Sequence, residues 1–181
     1  LAEVGLMQRF VLYLGHPTHA FSTVLSGLLI GTGAGSWFVS RWFQDRTPWR
    51  RSMAILSASA SILLLALAIA QPTFLNWTQG LPIYAKLALV YLMLLPVGFV
   101  LGTLMPTGMR ALENTAPELV PWAWGFNGLA SVTGSCGAIL LAMRVGFMWM
   151  LVIGSGIYLL AALFSLGFAQ VSRLENARVA Q

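Results

Sequence analysis

Long runs of apolar residues constrain the fold of this chain more than any other feature. A helix that crosses a membrane needs about 20 mostly apolar residues. Five stretches meet this requirement, with Lys86 as the one charged residue inside them: Ala20–Phe38, Met53–Ala70, Ile83–Met105, Val120–Met143 and Val145–Phe168. Charged residues make up only 8% of the chain, against about a quarter in soluble domains. We therefore predict an all-α fold, a polytopic bundle of membrane-spanning helices.

Residues 1–15 form a sixth apolar segment that is too short to cross a membrane. It reaches about 22 Å at about 1.5 Å per residue, while the hydrocarbon core is about 30 Å thick. We expect a half-helix or a truncated helix there. The prediction is a single transmembrane domain over 1–181 with about six helices, near 1–15, 20–38, 53–70, 83–105, 120–143 and 145–168. We also expect the chain to be a fragment or half of a larger protein.

Basic residues between the segments predict the orientation of the bundle. The connection between the second and third segments is the most basic part of the chain, and loops dense in Arg and Lys stay on the cytoplasmic side. Seven basic residues then lie inside, with both termini: Arg41, Arg46, Arg50, Arg51, Arg110, Arg173 and Arg178. Lys86 and Arg144 lie outside. Because these residues form no continuous basic stripe, we expect no nucleic-acid partner.

Three glycines recur at every fourth position of the second segment: Gly27, Gly31 and Gly35. This spacing gives one helix face on which a neighbouring backbone can approach closely. The string GTGAGS within it is similar to a phosphate-binding loop, but such loops follow a strand, and this one lies inside an apolar span. We therefore predict a tight helix crossing at this face.

A second face of small and polar residues runs along the fifth segment. Asn127, Ser131, Gly134 or Ser135, and Ala138 fall on one side of a helix. We predict that this face packs against the glycine face of the second segment. Asn127 has two interpretations: a hydrogen bond between helices, which is the commoner role of an amide in a bundle, or contact with a substrate.

His16 and His19 stand three positions apart in GHPTH. This spacing is compatible with metal binding, but no third ligand lies near them in the sequence. Gly15 and Pro17 instead predict the end of one helix and the start of the next at the outer surface. We expect a turn, with the histidines as candidates in an outer loop, and no metal or cofactor. Cys136 is the one cysteine, so we expect no disulfide.

Glu3, Gln8 and Arg9 are the strongest functional signal in the sequence. Ionisable residues at membrane depth are costly unless they are paired or hydrated. Glu3 and Arg9 are six positions apart, so their side chains point about 120° away from each other on a helix. Two interpretations remain open: a structural polar network that joins this segment to helices not identified in the sequence, or a substrate or proton site. With Asn127, these residues form the candidate buried polar site.

Three stretches occur in a recognisable order: EVGLMQRFVLYLGHPTHAFSTVLSGLLIGTGAGS, LMPTGMRAL and LVPWAWGFNGLASVTGSCGAILLAM. Together they resemble the membrane portion of bacterial spermidine synthase-like proteins, in which a multi-helix domain accompanies an aminopropyltransferase-like domain. The matching residues are Glu3, Gln8, Arg9, Phe10, Leu14, Gly15, His16, Pro17, Gly33, Gly35, Ser36, Pro106, Gly108, Arg110, Pro121, Trp122, Trp124, Asn127 and Gly128. GSWFVSRWFQDRTPWRRSM is similar to a loop of major facilitator transporters. The resemblance implies a transporter-like domain in a bacterial inner membrane.

The catalytic half of those proteins has no counterpart in this sequence. Aminopropyl transfer needs a Gly-rich loop between a strand and a helix and several carboxylates for the polycationic acceptor. The acids here are Glu3, Asp45, Glu113, Glu118 and Glu175, and four of them fall in predicted loops or the tail. We therefore expect no enzymatic activity and assign no catalytic residue.

The expected function is that of a membrane domain that anchors a partner or passes a small cationic or amphipathic substrate. Its expected partners are the lipid bilayer and either other membrane chains or a missing soluble domain. The alternative is an accessory structural subunit of a larger membrane complex.

Overall fold

The computed structural model describes residues 2–42 and 49–179, and this part of the chain is almost entirely helical. Six α-helices follow one another: α1 (Ala2–Leu14), α2 (Pro17–Trp42), α3 (Trp49–Trp77), α4 (Ile83–Thr115), α5 (Val120–Val145) and α6 (Phe147–Val179). A short 3-10 turn, Pro117–Leu119, joins α4 to α5. No strand occurs in these residues. The all-α prediction is confirmed, as is the number of helices.

Five of the helices are long and apolar enough to cross a membrane, over Pro17–Arg41, Trp49–Trp77, Ile83–Thr115, Pro117–Val145 and Trp149–Gly167. Only α1, with 13 residues, is too short. The helices extend beyond the predicted apolar stretches because their polar ends remain helical. In α4 the helix continues past Pro106 to Thr115. Internal prolines are tolerated in membrane helices, where neighbouring groups satisfy the backbone atoms that they free.

Two glycines with positive φ angles separate consecutive helices. Gly15 (φ 75°) ends α1 and Gly146 (φ 83°) lies between α5 and α6. A side chain at either position would strain the backbone, because L residues rarely adopt this conformation. Pro17 begins α2, as predicted from its restricted φ angle. The chain therefore reverses within two residues after α1 and within one residue after α5.

The most extensive packing in the bundle joins α2 to α4. A Cβ atom added to Gly31 would lie 2.8 Å from the backbone oxygen of Leu95, and one added to Gly35 would overlap the backbone oxygen of Phe99. On the α4 side, Gly98 and Gly102 approach the α2 backbone equally closely. The backbones of α2 and α4 therefore touch along faces that lack side chains.

The predicted pairing of the α5 face with this glycine face is wrong. The glycine face of α2 is occupied by α4, which carries its own complementary glycines. Ser131 is exposed, and a Cβ atom added to Gly134 would meet no atom within 4 Å. Ala138 is the single buried residue of α5. The small residues of α5 thus border an open groove instead of a helix interface.

The core lies around α1 despite its short length. Leu6, Phe10, Tyr13 and Leu14 are buried at positions that share one face of the helix. They join a cluster with apolar residues of α2, α3, α4 and α6. The Tyr13 hydroxyl also donates a hydrogen bond of 2.8 Å to Thr78 Oγ1 just beyond α3. These contacts hold α1 between the longer helices and position its polar residues.

The predicted basic connection between α2 and α3 is described only at its two ends. Arg41 and Arg51 are exposed, and the Arg50 guanidinium lies 5.2 Å from the centre of the Trp49 ring. Asp45 and Arg46 lie outside the described residues. So do the side chains of the predicted inner residues Arg173 and Arg178, together with that of Glu175.

Candidate functional site

The four residues predicted as one polar site fall into two separate grooves. Glu3 and Asn127 line one groove, which we call the Glu3 groove. Gln8 and Arg9 line the other, which we call the Arg9 groove. The separation follows from helix geometry, because residues six positions apart in α1 point in directions about 120° apart.

The Glu3 groove is a cavity of about 670 Å³ bordered by α1, α2, α4, α5 and α6. Its polar lining consists of Glu3, Thr32, Asn127, Ser131 and Tyr158. Apolar side chains and glycines complete the lining: Leu6, Leu25, Leu28, Leu29, Val97, Leu101, Ala130, Gly134, Gly154 and Ile157. A carboxylate, an amide and three hydroxyls set in an apolar wall form an amphipathic site.

The depth of this groove follows from the positions of its residues along their helices. Glu3 lies eleven residues before the end of α1 at Leu14, and Tyr158 lies eleven residues after the start of α6 at Phe147. Eleven residues span about 16 Å of helix, roughly half the thickness of the hydrocarbon core. The end of α1 and the start of α6 lie at the same end of the bundle, since residues from both border the Arg9 groove. The Glu3 groove is therefore near the middle of the bundle.

Glu3 gives the groove its charge. It is the one charged residue among the described residues that line the cavity. Its side chain is exposed, and it forms no hydrogen bond or ion pair within the described part of the chain. The groove thus offers a negative charge to a ligand.

The Arg9 groove is larger, about 890 Å³, and lies at the end of the bundle where α1 and α3 end and α6 begins. Arg9 is its one charged residue among the described lining. Amides, aromatic rings and apolar residues complete it: Gln8, Val11, Leu12, Tyr13, Pro72, Leu75, Asn76, Gln79, Val145, Gly146 and Trp149. The two grooves therefore carry opposite charges.

The structural network considered for Glu3 and Arg9 is not formed among the described residues. Neither side chain bonds to another described residue, and they open into different grooves. Polar contacts between helices occur elsewhere: Ser61 and Ser155 lie 3.0 Å apart between α3 and α6, and Ser26 lies 2.7 Å from the Tyr91 hydroxyl between α2 and α4. These neutral hydroxyl pairs join helices without involving Glu3 or Arg9.

The two histidines lie at the exposed turn between α1 and α2. Their ring centroids are 5.6 Å apart in an edge-to-face arrangement, and the His16 carbonyl accepts a hydrogen bond from the Ala20 amide. The described residues contain no cluster of three or more potential metal ligands. Cys136 is exposed on α5.

Several groove residues were not predicted from the sequence. Thr32 and Tyr158 were not singled out because an isolated hydroxyl residue in an apolar helix has no distinguishing spacing. Asn76 and Gln79 were assigned to a loop; Gln79 lies in a turn, but Asn76 belongs to α3, which extends to Trp77. The sequence could have indicated Asn76 if the third helix had been continued through Pro72. Asn76 would then lie on the helix, one turn beyond the proline.

Comparisons with family models, with curated proteins and with solved structures give no match for this chain.

Proposed function

We propose that this chain is the membrane domain of a spermidine synthase-like protein and that its Glu3 groove holds a small cationic or amphipathic molecule. The observation that carries the proposal is the Glu3 carboxylate, exposed in a cavity at the middle of the bundle without a basic partner in the described residues. A carboxylate in an apolar wall attracts a cation strongly, because the surrounding medium screens the charge weakly.

The polar residues around Glu3 give the site a second feature. Asn127, Ser131 and Tyr158 supply an amide and two hydroxyls that can bond to the nitrogen atoms or the polar end of a ligand. The leucines of α2 and α4 would cover its apolar part. The domain would bind and pass such a molecule, or present it to a partner, without itself transforming it. The inner membrane, with both termini in the cytoplasm, is the proposed location.

Equilibrium binding to the purified chain in detergent tests this function. Two probes cover the proposed ligands: spermidine, and tetraphenylphosphonium as an amphipathic cation. We expect at least one to bind, and Glu3→Gln to weaken binding by about tenfold or more, because it removes the charge and keeps the shape. Glu113→Gln is the matched control, since Glu113 is exposed near the end of α4. Absence of binding for both probes, or an unchanged affinity in Glu3→Gln, would refute the proposal.

An accessory structural role is the second candidate, and the exposure of α5 favours it. This helix is 26 residues long with Ala138 alone buried, and Trp122, Trp124 and Phe126 are exposed near its start. Bundle interfaces often use such aromatic and small residues. In this case a second membrane chain should co-purify in mild detergent and cross-link to α5 and should be lost with Gly134→Leu, while Glu3→Gln should have no effect on the assembly.

A further inference from the structure

The Arg9 groove contains a cation for which the described part of the chain provides no counter-charge. Arg9 is partly buried and forms no hydrogen bond or ion pair with a described residue. No acidic residue lies among the described residues that line the groove. A partly buried guanidinium without an anion is unfavourable, and a bound anion would remove that cost.

Donor groups from three helices surround the same cavity. Gln8 contributes an amide from α1, Asn76 and Gln79 contribute amides from the end of α3 and the turn after it, and Trp149 contributes an indole N–H from the first turn of α6. Side-chain amides and the indole N–H donate hydrogen bonds to anionic oxygens, and a guanidinium can bind two such oxygens at once. Together these donors suit a tetrahedral anion, which has several oxygen atoms to accept their hydrogen bonds.

The electrostatic surroundings reinforce this preference. The Lys86 ammonium lies 5.2 Å from the centre of the Tyr13 ring, and Tyr13 lines the groove. Arg144 directly precedes the lining residues Val145 and Gly146. Two further cations therefore lie around the cavity, and each adds to the attraction for an anion.

The side chain of Arg9 can reach the level of a lipid headgroup. Arg9 lies five residues before Leu14, about 7.5 Å below the end of α1. A long arginine side chain extends from this depth toward the headgroup layer. Trp149 has the amphipathic ring favoured at this level. Leu12 and Leu75 continue the lining with apolar surface suited to an acyl chain.

We infer that the Arg9 groove is a phosphate-binding site, occupied by the headgroup of an anionic lipid or by phosphate free in solution. Arg9 pairs with the phosphate, and the amides of Gln8, Asn76 and Gln79 orient it. This site is independent of the cation site proposed above, because the two grooves share no described lining residue.

Native mass spectrometry of the full chain in detergent tests the site with two lipids that differ only in phosphate. The probes are phosphatidic acid and diacylglycerol with the same acyl chains. We expect phosphatidic acid to bind in preference, and Arg9→Gln to reduce its binding by about tenfold, as expected for loss of a charge-assisted contact. Arg41→Gln, which changes an exposed arginine at the opposite end of the bundle, should reduce binding less than about twofold. Glu3→Gln should leave it unchanged.

A second variant tests the site in a position that tolerates change. Gln79 is exposed in the turn after α3, so Gln79→Glu should fold normally and repel the phosphate, while Gln79→Asn should retain binding.

Displacement of phosphatidic acid by inorganic phosphate would identify free phosphate as the ligand, and failure of displacement would identify the lipid. Equal binding of the two lipids together with no binding of phosphate, or a phosphatidic acid preference retained in both Arg9→Gln and Gln79→Glu, would overturn the inference.

Discussion

At the scale of single residues, Arg110 links two helices through backbone atoms. Its guanidinium donates hydrogen bonds from α4 to the carbonyl oxygens of Val39 at 3.0 Å and Ser40 at 3.2 Å. Both carbonyls belong to the last described turn of α2. A cation at this end also interacts favourably with the helix dipole. Arg110 thus caps the described end of α2 from a neighbouring helix by bonding to two of its carbonyl groups.

We expect Arg110→Ala to destabilise the protein. Loss of hydrogen bonds to a charged group costs about 1.5 to 3 kcal/mol, so the melting temperature in detergent should fall by several degrees. Arg144→Ala is the control, because Arg144 is exposed. Equal melting temperatures for the two variants would show that the cap contributes nothing.

At the scale of helices, the α2–α4 crossing depends on the absence of Cβ atoms at particular positions. A Cβ on Gly35 would overlap the Phe99 carbonyl of α4, whereas one on Gly33, two positions away, would meet no atom within 4 Å. We expect Gly35→Ala to force the helices apart and cost about 1 to 3 kcal/mol. Gly33→Ala should be neutral or slightly stabilising, since alanine favours helix. Thermal unfolding of both variants measures the difference, and equal destabilisation would contradict the close crossing.

The sequence predicted that α2 has a face for close approach but not which helix fills it. Spacing reveals a face without side chains, and such a face fits any partner of similar shape. On α4 the matching Gly98 and Gly102 stand among bulky residues and after Pro96, so they did not indicate an interface. The polar face of α5 was easier to recognise in the sequence. It does not form the interface with α2, because Asn127 and Ser131 border a cavity. Small residues in a sequence therefore do not distinguish a close helix crossing from the wall of an open cavity.

At the scale of the whole molecule, hydropathy predicted the helical fold because apolar runs of this length permit few alternatives. Backbone groups in lipid must bond within their own segment, so apolar runs of about 20 residues become helices. The candidate site was predicted only in part. Glu3 and Arg9 were recognisable as costly at membrane depth, but their division between two grooves depends on how α1 lies among the other helices. Contributions from α3, α5 and α6 to the grooves are long-range contacts that no local pattern encodes.

The orientation predicted from basic residues can be tested with single cysteines in a Cys136→Ser background. Gln79 is exposed after α3 and Glu118 is exposed between α4 and α5, at opposite ends of the bundle. We expect a membrane-impermeant thiol reagent added outside whole cells to modify Gln79→Cys and spare Glu118→Cys. The reverse pattern would place the termini outside.

The central claim is that the Glu3 groove is a cation site within the membrane, distinct from the Arg9 groove. Binding of tetraphenylphosphonium to the parent chain, to Glu3→Gln and to Arg9→Gln, in nanodiscs of one neutral lipid, tests it most directly. We predict that Glu3→Gln lowers the affinity by about tenfold or more while Arg9→Gln leaves it within about twofold, since Glu3 lines the Glu3 groove and Arg9 lines the other groove. Equal affinity for all three proteins, or a loss caused by Arg9→Gln alone, would contradict the claim.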